Sequence, residues 1–180
     1  AASMHTWWDG PLVRVVALFL RSFRKTQHPE CAKLVVWTPR QGSERATPES
    51  FALVKQVEAL EGGAPVVFME LRVTEMARGT LFEDFVQRTI APHAWDGTEN
   101  TKREGASHFS DFFQLFVLWR YGGIYFDADM ILLRDLYPLW GLNFEYQWSF
   151  IPQKLNNAVQ GLTKKSSDAE RLVVHGAKLR

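Results

Sequence analysis

Apolar residues along this chain switch between two periods, and the switching predicts strands interleaved with helices. Met4 to Trp8 predicts a short strand. Leu12, Val15, Val16, Phe19, Leu20 and Phe23 then recur at helical spacing behind Pro11, a residue suited to a first helical turn. Lys33 to Trp37 predicts a second, buried strand; Phe51, Val54, Val57 and Leu60 stripe a second helix closed by Gly62-Gly63, and Val66 to Met69 predicts a third strand. Thr80 to Ile90 predicts helix, and the polar stretch from Ala91 to Gly105 predicts a loop able to cover a ligand. Further on, Ile131 to Leu133 and Gln147 to Ile151 are strand-like, and Ser167-x-x-Glu170 has the form of a capping box. This order implies an α/β fold, a mostly parallel sheet flanked by helices, with its ligand crevice at the strand ends.

The segment from Ser107 to Leu136 departs from a simple core pattern. Between Phe109 and Tyr121 the apolar residues surround nearly the whole helix, the mark of a rod packed on most sides. Ser107, Ser110, Asp111 and Gln114 nevertheless fall within an arc of roughly 100°. An unpaired polar group in such a setting costs on the order of 1 to 3 kcal/mol, so this line predicts partners, either protein or ligand. Capping by Ser107 or Ser110, with Asp111 in the first turn, is one account of it. Capping leaves Gln114 unexplained.

Gly122-Gly123 ends that helix, and Ile124-Tyr125-Phe126 then predicts a buried strand leading into Asp127-Ala128-Asp129. If the strand persists, residues i and i+2 share a side, and both carboxylates face one ion. Hard divalent cations such as Mn²⁺ or Mg²⁺ prefer carboxylate and phosphate oxygens, so the arrangement points to a metal site that also takes a phosphorylated ligand.

These residues resemble a known family. Ser110-Asp111, then Leu118 to Asp129, then Ile131-Leu132-Leu133-Arg134-Asp135-Leu136 look like the donor-site core of family 32 glycosyltransferases. That group includes α-1,4-galactosyl- and α-1,4-N-acetylglucosaminyltransferases and fungal initiating mannosyltransferases, with the glucosylating toxins as structural relatives. Weaker similarity extends to Trp7-Trp8-Asp9-Gly10, to Val36-Trp37-Thr38, to Gly79 to Phe85, and to Leu155-Asn156-Asn157-Ala158. The resemblance implies a GT-A type (Rossmann-like) fold and a retaining, metal-dependent transfer of a hexose from a nucleotide sugar, UDP-hexose first and GDP-mannose second, to a glycan or glycoconjugate. It also implies roles. Asp129 would coordinate Mn²⁺ or Mg²⁺ directly, and Asp127 would bind the ribose or reach the metal through water. Trp8 would stack on the base and Tyr125 would line the nucleotide site. Ser110, Asp111 and Asn156 would approach the donor. One position departs from the family pattern: Gln114 stands where arginine is usual, keeping a hydrogen-bonding end without the fixed cationic fork.

Composition narrows the picture further. With 180 residues, 46% of them hydrophobic, the chain can bury one real core, which predicts a single domain over 1–180. By family length, part of the acceptor side is expected beyond Arg180. A net charge of +1 supplies no general basic field for nucleic acid. The run from Leu12 to Leu20 is too short to span a bilayer. Cys31, the single cysteine, excludes an internal disulfide and reads as a small buried hydrophobe. The five histidines show no metal-ligand spacing, and Trp37, Trp119 and Trp140 read as core. By resemblance, a eukaryotic member works in the Golgi lumen, and a bacterial or viral one in the cytoplasm. Two alternatives stand beside the transferase: a non-catalytic nucleotide-sugar or glycan-binding domain, and a phosphatase of the haloacid dehalogenase type, which also places Asp-x-Asp after an apolar strand.

Overall fold

The computed structural model describes residues 2–8, 13–38, 52, 55–57, 59, 62–90, 103–147, 150–151 and 155–171, with the backbone alone for 103–108 and 155. The elements are β1 (Ala2–Trp7), α1 (Arg14–Thr26), β2 (Ala32–Thr38), β3 (Val66–Glu70), α2 (Val73–Ala77), α3 (Glu83–Phe85, continuing as a π turn over Val86–Ile90), α4 (Arg103–Tyr121), β4 (Gly123–Phe126), β5 (Phe144–Gln147) and β6 (Leu155–Leu162). The strands form one sheet in the order β3-β2-β1-β4-β6-β5. β3, β2, β1 and β4 run parallel, β6 returns antiparallel beside β4, and β5 is antiparallel to β6. The expected mostly parallel α/β sheet is therefore present.

The parallel strands read as continuous apolar runs because both their faces are covered. On one face α4 packs Phe109, Phe113 and Phe116 against Val35, Trp37 and Tyr125. On the other, α1 packs Phe19, Leu20 and Phe23 against Met4, Leu34 and Phe126. Alternation along β4 thus sends Tyr125 to the α4 side and Ile124 and Phe126 to the α1 side.

The turn from α4 into β4 has a stringent backbone. Gly122 and Gly123 hold φ of 72° and 107°, values that a side chain disfavours. A Cβ on Gly123 would run into the carbonyl oxygen of Ser3. The Gly122 carbonyl accepts from His5 Nε2 at 3.1 Å, and the Trp37 indole N–H donates to His5 Nδ1 at 3.3 Å. This pairing assigns the proton to Nε2. His5 is therefore a neutral, doubly bonded strut, and burial lowers its pKa to about 4.

Several expectations shift. α4 already runs at residue 103, the rest of the expected loop, 91–102, lies outside the described residues, and Ser107, Ser110 and Asp111 lie inside the helix. None of the three caps it. Helix in the 80–90 stretch is confined to Glu83 onward, part of it a π turn, and α2 was not foreseen. Residues 131–133 form no strand, although their exposure alternates, because no strand lies beside them; Leu132 N–H instead donates to Ser22 Oγ on α1 at 3.0 Å. The strand expected at Gln147 to Ile151 is displaced: β5 ends at Gln147, Phe150 and Ile151 lie in a turn, and 148–149 lie outside the described residues. The last helix is capped by Ser166, whose Oγ accepts from Asp168 N–H at 3.2 Å, while Glu170 turns away to accept from the Trp119 indole at 3.0 Å. Cys31 is half-exposed rather than buried, and Trp140 is half-buried, whereas Trp37 and Trp119 lie in the core as expected. Pro11, Leu12 and most of the second predicted helix lie outside the described residues.

Candidate active site

Three elements converge at the C-terminal edge of the sheet. β4 ends at Phe126, and the chain turns through Asp127, Ala128 and Asp129. The two carboxylates are thus placed by a turn and not by strand alternation, which corrects the expectation that the strand carries both. Asp127 N–H donates to Ala158 O of β6 at 2.8 Å, and the backbone of the first aspartate is fixed by that bond. Ala128 is buried and anchors the turn in the α1-side core, leaving Asp127 half-buried and Asp129 exposed.

α4 supplies the second wall. Asp111 is on its exposed side, and Asn157 of β6 donates from Nδ2 to Asp111 Oδ1 at 2.6 Å. Half-buried Ser110 meets the Tyr125 phenol at 3.2 Å. Gln114, 3% exposed, lies one turn deeper, and no hydrogen bond of its amide falls among the described residues. The polar line seen in the sequence therefore splits: Ser110 and Asp111 engage the sheet edge, and Gln114 sits beneath them.

The electrostatics mark Asp127. Burial first, and then the neighbouring carboxylates of Asp129 and Asp111, push its pKa up to about 6. Both causes disfavour the ionised carboxylate, burial by removing water and the two acids by repulsion. A divalent cation suits this donor set, because carboxylate oxygens are hard ligands and two of them leave room for phosphate and water. Among the described residues no group of three or more His, Cys, Asp or Glu is arranged to hold a metal ion.

Tyr125 differs from its expected role. At 1% exposure it lines nothing; its hydroxyl is held between Ser110 and the backbone N–H of Trp7, and burial drives its pKa far above the ordinary phenol value. It supports the site from behind. Trp8 follows the end of β1 and packs its ring toward the α1-side core, whereas the Trp7 ring meets Phe109 at a tilt, ring centroids 5.1 Å apart, on the face that carries Tyr125. Sequence reading passed over Trp7. Its buried indole N–H has no partner among the described residues, a signal only three dimensions give. Asn156 lies on β6 and turns its Oδ1 back to Ala158 N–H at 2.8 Å, so of the asparagine pair it is Asn157 that reaches α4. The side chain of Ser107 lies outside the described residues.

A sheet of this order, with an Asp-x-Asp turn at the end of its central strand, defines a GT-A-like α/β protein. A family model described as the glycosyltransferase sugar-binding region containing a DXD motif matches residues 20–148, and the chain belongs to that family. Among solved structures it is similar to the PaToxG glycosyltransferase, with a TM-score of 0.57 and 16% identity over 99% of this chain and 60% of that one. At that identity the likeness bears on fold alone, and the chain spans 60% of that structure's length. No curated protein matches the sequence.

Proposed function

We propose that this chain is the donor-binding domain of a metal-dependent, retaining glycosyltransferase that moves a hexose from a nucleotide sugar, UDP-hexose first and GDP-mannose second, to a glycan or glycoconjugate. Membership in a DXD glycosyltransferase family supports the class. The observation that carries the metal-dependent reading is the Asp127-Ala128-Asp129 turn at the end of β4, with the Asp111 carboxylate of α4 near it. Asp127 and Asp129 would hold Mn²⁺ or Mg²⁺, whose Lewis-acid charge offsets the negative charge growing on the departing nucleoside diphosphate.

The chain's own groups do the remaining work. The Tyr125 phenol, itself held by the Trp7 backbone N–H, fixes Ser110 Oγ; with the phenol as donor, the Ser110 hydrogen would serve a bound sugar or phosphate oxygen. Asp111 commits one oxygen to Asn157 and retains the other for a sugar hydroxyl. Trp8, at the end of β1, would stack on the base. The neutral Gln114 amide beneath them would read the sugar without adding positive charge, so that leaving-group charge is met by the cation alone.

A thermal-shift panel tests this reading, since a ligand that binds only the native state raises apparent stability with its affinity. UDP-sugars with Mn²⁺ should raise the melting temperature by several degrees. The same sugars with EDTA should not. No shift with any UDP- or GDP-sugar in Mn²⁺ would contradict it.

A further inference from the structure

The outer face of α1 carries a pattern that the donor site does not use. A helix packed on a core normally turns a mixed-charge polar face to water. α1 instead holds Arg14, Arg21, Arg24 and Lys25 and no acidic residue, in a chain whose bases and acids nearly cancel at 21 against 20. Arg14, Leu18, Arg21 and Lys25 follow one another at i, i+4, i+7 and i+11, and all four are exposed. Leu18 is 50% exposed within this basic stripe. From Arg14 to Lys25 the stripe runs for about 17 Å.

The segment after the Asp-x-Asp turn extends this face. Leu132 N–H bonds Ser22 of α1, and the Gln27 amide at the end of α1 bridges Arg134 O at 3.0 Å and Leu136 N at 3.1 Å. Strapped in this way, the segment presents Ile131 at 56%, Leu133 at 87% and Tyr137 at 64% exposure, with Arg134 exposed beside them. Its acid, Asp135, accepts from Tyr137 N–H at 3.0 Å. Leu133 is the most exposed of the large apolar residues in the described structure.

We infer that α1 and residues 131–137 form a docking surface for a bilayer rich in anionic headgroups. Arginine and lysine set along a helix side gain affinity from a negative lipid surface whatever their register, roughly fivefold per cation near the surface. A protruding leucine on a protein partner needs a matching hollow, whereas the headgroup region yields around it and takes its apolar surface. No helix among the described residues is long and apolar enough to cross a membrane, so the contact is peripheral. Because Ile131 and Leu133 follow Asp129 directly, docking would hold the donor site at the membrane. The acceptor would then be a glycan carried on a lipid or on a membrane protein. That last step rests on the transferase reading; the docking does not.

Vesicle flotation tests the surface without needing activity. The chain should float with phosphatidylcholine vesicles containing 30% phosphatidylglycerol and stay behind with phosphatidylcholine alone, and raising the salt from 0.1 to 0.5 M should release it. Arg21→Gln with Lys25→Gln should weaken flotation at least about tenfold, and Leu133→Ser should weaken it with the charges intact. Both variants should keep the wild-type melting temperature, as surface changes do. Equal binding to neutral vesicles, no binding to anionic ones, or binding indifferent to both variants would overturn the proposal. So would a concentration-dependent dimer that Leu133→Ser abolishes, because the face would then be a contact between copies of the chain.

Discussion

Asn157 donates its side-chain amide to Asp111 Oδ1 at 2.6 Å, and that bond ties β6 to α4 across the mouth of the site. The two residues lie 46 positions apart, so the contact exists only once the antiparallel edge of the sheet is in place. It leaves one carboxylate oxygen of Asp111 directed by the protein and the other free.

Replacing Asn157 therefore tests whether Asp111 must be aimed. Asn157→Ala should weaken nucleotide-sugar binding about three- to tenfold and lower stability by no more than about 1 kcal/mol, since the bond is exposed. In a double-mutant cycle with Asp111→Ala the two effects should fail to add. Additive effects, read by calorimetry, would mean that the bond does not orient the carboxylate.

The phenol of Tyr125 is predicted to matter for stability as well as binding. Tyr125→Phe leaves Ser110 Oγ and the Trp7 N–H without their shared partner in a buried setting, at a cost of about 1 to 3 kcal/mol. Urea unfolding measures it. A stability unchanged from wild type would show that the hydroxyl is not holding these groups.

Gly123, in the α4–β4 turn, and Gly79, after α2, separate a steric clash from backbone strain alone. Gly123→Ala drives a Cβ into Ser3 O at a φ of 107° and should prevent folding or cost more than about 3 kcal/mol. Gly79→Ala, at a φ of 71° with nothing within 4 Å of its Cβ, should cost only about 1 kcal/mol. Comparable melting temperatures for the two variants would refute the steric argument.

His5 should make stability depend on pH in one direction. Buried and neutral in the fold, it titrates at about 4, against about 6.5 in the unfolded chain, so the unfolded state takes up the proton first as pH falls. Its contribution is complete above pH 6.5, is lost progressively between 6.5 and 4, and amounts to about 3 kcal/mol across that window. His5→Gln, which cannot titrate, should show a flatter fall in unfolding free energy over the same range. Parallel curves would remove His5 as the cause.

How much of this the sequence disclosed depended on whether the signal was local. β1, β2 and β3 and the helices α1 and α4 are long, strongly patterned and packed as their periodicity required. Asp127 and Asp129 stood out because a glycine pair and a buried strand precede them. β6 was missed because Leu-Asn-Asn-Ala-Val-Gln-Gly-Leu is poor in β formers; it is a strand because it completes the edge beside β4, with the Phe144 ring lying where a Cβ on Gly161 would go. The asparagine pair was legible as a motif, but not that Asn157 bonds Asp111, since that partner lies on another element. The cap was misplaced by one residue because Ser166 and Ser167 are alike on paper, and only the bond to Asp168 N–H distinguishes them. Trp7 was passed over in favour of Trp8 because adjacent strand residues face opposite sides of a sheet, and the sequence does not say which side holds α4.

The central claim is that Asp127 and Asp129 grip a divalent cation shared with a nucleotide sugar. Calorimetric titration of UDP-sugar in the presence of Mn²⁺ addresses it most directly, with wild type compared against Asp129→Ala and Asp127→Asn. The account predicts binding that needs Mn²⁺ and falls at least about tenfold in both variants, a loss of about 1.4 kcal/mol or more. Affinity equal to wild type in Asp129→Ala, with the metal present, would contradict it.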